Sequence, residues 1–210
     1  RTVVGMLGDK KVRMTVSVVT MRSIEVRNSL IQDLEWEHCF AISGMCRLIG
    51  QYVAPLMVED LELTGLLHDL GALVLIANYP REYEKLVKAA NLRDMPIVDA
   101  EKKLFGVDRN DVLLHMSESM HLPSTTMQTM RMMSAQQVVE NIDSTVDTHL
   151  AVLTLAHHID AMVQDEEGVL PIEKVPDSLS ALKQKLDLTD ENLDQILDEY
   201  QDLLNSVLIA

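Results

Sequence analysis

DENLDQILDEYQDLLNSVL, residues 190–208, carries the plainest helical signal in the chain. Leu193, Ile196, Leu197, Tyr200, Leu204 and Val207 recur at steps of three and four, which lays them along one face of a helix. Asp190, Glu191, Asp194, Asp198 and Asp202 take the other side, and Thr189 stands where an N-cap is needed. Working backward from there, the same period predicts helices near 9–22, 31–53, 57–68, 71–78, 81–91, 97–104, 109–120, 124–140, 145–164 and 177–187. All six prolines (Pro55, Pro80, Pro96, Pro123, Pro171, Pro176) stand where one period stops or the next starts, as helix boundaries do. No alternating run is long enough to predict a strand, so the expected fold class is all-α.

Composition agrees. Of 210 residues, 47% are hydrophobic and 24% charged, enough apolar material for one substantial core. Aromatic residues make up only 3% against 13 methionines, a balance that disfavours β-sandwiches and barrels and suits helices packed through Leu, Ala, Val and Met. Thirty-three acids against 18 bases give a net charge of −15, which argues against a nucleic-acid surface or an anionic membrane as partner. The charge is uneven: residues 1–22 hold five bases and one acid, residues 165–210 twelve acids and three bases. Gln164–Pro176, with two prolines, a glycine and an acidic cluster, predicts a loop before two acidic helices at 177–208. So short a unit has too little core of its own, so those helices are expected to pack back on the body. Cys39 and Cys46 fall on one side of a helix and read as buried free thiols of a reducing compartment. No signal-peptide pattern is present, and the longest apolar stretch, Leu70 to Ala77, is far short of the roughly 20 residues a membrane span needs. The expected location is the cytoplasm. Arg1 is not an initiator Met, so the chain is expected to continue upstream.

Glycine-rich phosphate loops, nucleophile elbows, Cys-x-x-Cys and His-Glu-x-x-His are all absent. One constellation remains. Leu66-Leu67-His68-Asp69-Leu70-Gly71 puts adjacent His and Asp where one apolar helix gives way to the next. Trp36-Glu37-His38 lies thirty residues upstream on a long amphipathic helix, and Leu155-Ala156-His157-His158, followed by Asp160, lies on another. A divalent metal needs several N or O ligands converging from rigid elements, and bundle helices project such ligands inward. Vicinal His and Asp can serve one metal only if the backbone turns between them, and Gly71 is placed to permit a turn. The same pair also serves as a capping or tautomer-fixing hydrogen bond, so the dipeptide alone leaves both readings open.

These residues carry a family resemblance. Trp36-x-His38, the segment Glu62-Leu-Thr-Gly-Leu-Leu-His68-Asp69-Leu-Gly71, Leu104-Phe105-Gly106-Val107-Asp108 and Leu122-Pro123, in this order and spacing, resemble the HDOD domain, the HD-related output domain of bacterial signalling proteins. Gly5-Met-Leu-Gly8 before Val12, and the ending Leu186-x-Leu-Thr189-x-x-x-Leu193, extend the likeness over roughly residues 3–208. The resemblance implies an all-helical, HD-like bundle spanning residues 1–210, without the further N-terminal helical segment that family members carry. Where the related phosphohydrolases bind metal through a His, a vicinal His-Asp and a later Asp, it matches His38, His68 and Asp69, and puts His157 in the place of the later Asp. A histidine still binds transition metals but changes the ligand set.

Other departures bear on catalysis. Ala72 stands for the lysine common after His-Asp-x-Gly, and Arg109 for the histidine expected after Phe-Gly-x-Asp. The Gly-Tyr-Pro signature of the cyclic-dinucleotide phosphodiesterases is missing. The role implied is therefore a regulatory output module acting on a protein partner or a covalently linked signalling domain, without cofactor and without turnover. The alternative is a degenerate metal-dependent phosphohydrolase that binds a divalent ion through His38, His68, Asp69 and His157. A third reading is a vestigial pocket that holds a nucleotide uncleaved. Met116, Met120, Met127, Met130, Met132 and Met133 are expected to pack in the core, the alternative being an adaptable partner groove.

Overall fold

A computed structural model of the chain describes residues 29–120, 122–165 and 177–208. The helix expected at 9–22 and residues 166–176 of the expected loop lie outside them. Among the described residues there is no strand: they form α1 (Leu30–Val53), a 3-10 turn (Pro55–Met57), α2 (Val58–Leu67), α3 (Leu70–Asn78), α4 (Pro80–Leu92), α5 (Ile97–Phe105), α6 (Arg109–Met120), α7 (Ser124–Ser134), α8 (Thr145–Asp165), α9 (Asp177–Lys185) and α10 (Asp190–Leu208). The fold is all-α, as the periodicity predicts.

α1 is the axis of the bundle. Ser29 Oγ accepts the Gln32 N–H at its start, and Trp36, Cys39, Ile42, Met45, Cys46 and Ile49 form its buried face. Such spacing turns one stripe of the helix toward α2, α8, α10 and α3, which pack around it. Leu61, Leu67, Leu150, Leu153 and Ile196 close the same core from those neighbours. Both cysteines are free and buried there. A smaller cluster of Leu75, Ile76 and Tyr83, with Phe105 and Val112 against it, fixes α3 to α6 through α4 and α5.

The acidic ending belongs to this bundle. Leu193, Ile196, Leu197 and Tyr200 are buried and α10 packs on α1, while Asp190, Glu191, Asp194, Asp198 and Asp202 stay exposed. Thr189 caps the helix as expected, accepting the Asn192 N–H at 3.1 Å, and Asn192 returns the bond to the Thr189 N–H. Burying each such apolar side chain contributes about 2 kcal/mol, enough to hold an acidic helix against a protein already negative.

Two local features differ from the expectation. α7 stops at Ser134 instead of continuing to 140. Gln136 takes φ 52°, the Gln136 N–H bonds to Met133 O and the Gln137 N–H to Met132 O, which closes the helix with a left-handed cap. Gly71 is not a turn residue: the backbone turns at His68 and Asp69, and Gly71 is helical within α3. A Cβ there would lie 1.8 Å from the Arg109 carbonyl oxygen, so glycine admits the start of α6. That start is built by the Phe105-Gly106-Val107-Asp108 run. Gly106 ends α5 at φ 78°, and Asp108 Oδ1 accepts the N–H groups of Asn110 and Asp111 at 2.9 Å each. Arg109 is thereby delivered as the first residue of α6, against the end of α2.

Met130 is buried, and Met116, Met127, Met132 and Met133 are half-buried, the last two packed on the main core. The side chain of Met120 lies outside the description.

Candidate functional site

Three helices bring three imidazoles together. His38 comes from α1, His68 from the end of α2 and His157 from α8, and one ligand nitrogen of each lies within 4.8 Å of the others. The rings meet edge to face, with centroids 4.6 Å apart for His68 and His157 and 5.1 Å for His38 and His68. Each ring has its outer nitrogen committed. His68 Nδ1 donates to the Gly65 carbonyl at 2.6 Å, and His157 Nδ1 to the Leu153 carbonyl at 2.8 Å. His38 Nδ1 lies 3.3 Å from Asp160 Oδ2, and the other oxygen of Asp160 accepts the Tyr200 hydroxyl at 2.5 Å. Because a carbonyl can only accept, His68 and His157 are protonated at Nδ1 and present their Nε2 lone pairs inward. His38 Nε2 stands 3.2 Å from His68 Nε2.

Electrostatics divide the three. Burial pushes the His68 pKa down to about 3, and lowers that of His157, so both are neutral imidazoles at pH 7. Burial works the same way on His38, but the hydrogen bond to Asp160 and the charges of Asp69, Asp160 and Glu35 outweigh it, and its pKa is raised. A protonated His38 donates from Nδ1 to Asp160 and from Nε2 to His68.

Asp69 faces the other way. Its Oδ2 lies 3.5 Å from His68 Nε2 and 4.0 Å from His38 Nε2, but it accepts Arg109 Nη1 at 2.5 Å. The same guanidinium reaches Glu35 Oε1 at 3.2 Å, Glu101 Oε1 at 3.0 Å and the Tyr83 hydroxyl at 2.8 Å, and the Arg109 backbone N–H donates to Glu101 Oε2. Tyr83 in turn donates to Glu101 at 2.5 Å. Burial disfavours the Asp69 carboxylate, yet His68, Arg109 and His38 around it hold its pKa well below the usual range. Glu35 goes the opposite way: burial lifts its pKa to about 7 against the pull of Arg109, with Asp69 adding to the rise.

All four residues singled out in the sequence, His38, His68, Asp69 and His157, thus lie in one site, with the histidines facing inward and Asp69 turned to an arginine. Sequence reasoning missed the roles of Asp160, Glu35, Tyr200 and Arg109. Two of them had a signal: Asp160 follows His157 by three and Glu35 precedes His38 by three, so each shares a helix face with a candidate ligand. His158, adjacent to His157, is half-buried and does not join the three-histidine group.

The donor set fits a metal ion. Three inward lone pairs on separate rigid helices, with outer nitrogens held by two carbonyls and a carboxylate, are the arrangement a transition metal requires of histidine ligands.

Residues 1–136 match the HDOD domain family, a shorter span than the likeness at 3–208 seen in the motifs. No curated protein matches the chain. Solved structures share the fold at low identity. A "putative phosphohydrolase" from Shewanella amazonensis SB2B aligns with a TM-score of 0.65 at 16% identity, over 95% of this chain and 71% of that one. A "putative signal transduction protein" from Marinobacter aquaeolei VT8 gives 0.63 at 16%, over 83% of this chain and 37% of that one. The MmoQ response regulator of Methylococcus capsulatus str. Bath gives 0.57 at 19%, over 77% and 60%. This chain therefore spans well under two thirds of the length of two of them.

Proposed function

Because the chain belongs to the HDOD domain family, we propose that it is a signal-transduction module that works through protein contacts and turns over no substrate. One observation carries the reading: the carboxylate of Asp69, which the family resemblance makes a metal ligand, is bonded to the Arg109 guanidinium at 2.5 Å. An arginine side chain is always charged and cannot be displaced from two buried carboxylates and a third partner without stranding them. Ala72, buried on the same turn, removes the lysine that a hydrolase of this type would bring to a phosphate. Similar structures that are longer and are named for signal transduction and response regulation support a module that works as part of a larger signalling chain. No helix among the described residues is long and apolar enough to cross a membrane, which suits a partner in solution.

The alternative reading, a metal-dependent phosphohydrolase, is favoured by the three converging histidines. There, a bound metal would supply the lowered water pKa on which such hydrolases rely. The test is a turnover panel of phosphomonoesters, phosphodiesters and cyclic dinucleotides with Mg2+, Mn2+, Co2+ and Zn2+. The expected result is no turnover above the metal-ion blank. Turnover that disappears in His68→Ala overturns the regulatory reading.

A further inference from the structure

We propose that His38, His68 and His157 hold one transition-metal ion of the Zn2+ class through nitrogen alone, while Arg109 fills the place of a second cation opposite Asp69 and Glu35. The inference goes beyond the regulatory role and does not depend on it.

Geometry supports the first half. A tetrahedral Zn2+ with Zn–N of about 2.0–2.1 Å needs ligand nitrogens about 3.4 Å apart. His38 Nε2 and His68 Nε2 already stand at 3.2 Å, and all three ligand atoms fall within 4.8 Å, so small rotations about the side-chain torsions complete the set. The supports around the ligands are complete too. Gly65 O, Leu153 O and Asp160 fix the three outer nitrogens, and Tyr200 of α10 fixes Asp160. Imidazole ligands without carboxylate select zinc, cobalt, nickel or copper over magnesium, calcium or manganese.

The second half follows from where the oxygens point. Asp69 is the carboxylate nearest the imidazoles, and its Oδ2 is spoken for by Arg109 Nη1, which also bonds Glu35. The Arg109 side chain is only 11% exposed and its fork is engaged on every arm. A second divalent ion bridging Asp69 and Glu35 would have to sit on a buried guanidinium. The sequence places that arginine by the Gly106 turn, the Asp108 cap and the gap that Gly71 leaves for its carbonyl.

Cobalt titration of chelator-stripped protein, followed by its visible absorption bands and by calorimetry, tests both halves. The expected result is one equivalent of Co2+ with the intense bands of a four- or five-coordinate site, displaced by Zn2+ and not by Mg2+. His68→Ala and His157→Ala should each weaken binding at least a hundredfold, and Asp160→Asn tenfold to a hundredfold. Asp69→Asn should change it less than threefold. Circular dichroism of each variant separates lost ligands from lost fold, and His157→Gln serves if the alanine variant does not fold. Two equivalents of Co2+, no binding at micromolar metal, or an Asp69→Asn loss as large as that of His68→Ala overturns the proposal. None of these readouts depends on turnover, so failure here and failure of the regulatory reading are told apart.

Discussion

Arg109→Met removes the one cation in contact with three carboxylates while keeping a side chain of similar length. Wild-type Arg109 bonds Asp69 at 2.5 Å, Glu101 at 3.0 Å and Glu35 at 3.2 Å, with those partners' side chains 9%, 0% and 15% exposed. Breaking a buried pair from one side costs about 3–5 kcal/mol, because the partner is left charged and dry. The upper end applies here, since three acids lose one partner and Tyr83 loses another. For a chain of this size each kcal/mol moves the melting temperature by about 2–4 °C, so the expected fall is about 10–20 °C. Against a usual stability of about 5–15 kcal/mol, the variant should still fold. Urea unfolding followed by circular dichroism, extrapolated linearly, measures the loss, provided the slope with urea is unchanged. A double-mutant cycle sharpens it: in Arg109→Met/Asp69→Asn the stranded charge is gone, and about 1–3 kcal/mol should be recovered over additivity. A single-variant cost under about 1 kcal/mol, or a cycle that adds within error, would refute the view that the guanidinium holds this site together.

Gly71→Ala should cost about 3 kcal/mol in the same assay, because its Cβ would lie 1.8 Å from backbone and α6 must retreat; an unchanged midpoint would mean the two helices do not meet as described. Gln136→Gly should stabilise by about 0.5–1 kcal/mol, since φ 52° is strained for any side chain, and a loss of stability would refute the left-handed cap. Glu35 has a folded pKa raised by burial from 4.5 to about 7, so its contribution is fully present below about 4.5 and is lost as pH rises through 7. The stability of Glu35→Gln relative to wild type should therefore grow by on the order of 3 kcal/mol from pH 4.5 to 8, and a flat difference would sink the assignment. Burial also raises the pKa of both thiols, so Cys39 and Cys46 should resist a thiol reagent at pH 8 until urea unfolds the chain.

What could be read from the sequence was local. The 3-and-4 spacing of α10, its Thr189 cap and the prolines that open α4 and precede α5 and α7 are properties of neighbours in the chain, and each is found where expected. The end of α7 was not legible for the converse reason. Its left-handed residue is Gln136, and Asp94 and Asp187 take the same conformation after α4 and α9, so no glycine marks these stops. The site shows the same division. His38, His68 and His157 were found through motif and resemblance, but their supports lie far away in sequence. Tyr200 bonds Asp160 across 40 residues, and Arg109 bonds Glu35 across 74. Nothing in the spacing of residues on α6 or α10 foretells such contacts. They depend on where the bundle sets two helix ends, which is fixed by core packing and by the space left at Gly71. Arg109 looked like a lost histidine in the sequence. In the fold it is the hub of the acidic half of the site.

Charge ties the two proposals together. Around the three imidazoles the described residues supply four buried or nearly buried carboxylates, Glu35, Asp69, Glu101 and Asp160, against one guanidinium. With every imidazole neutral, that leaves a formal surplus of three negative charges in a region of low dielectric. Two protonations reduce the surplus. Burial, with Asp69 adding, raises the pKa of Glu35, and Asp160 with the neighbouring acids raises that of His38 against burial. A divalent ion on the three Nε2 atoms offsets two of the charges at once and takes the place of a proton on His38, so the pocket attracts a cation. A phosphoester meets the reverse. It brings its own negative charge, Ala72 offers it no ammonium, and all three nitrogens of Arg109 are already bonded. One bound ion leaves the surplus only partly cancelled, and the anion would enter a site still net negative. The arrangement therefore holds a metal better than it holds a phosphate, and finding an ion there would not by itself make the domain a hydrolase.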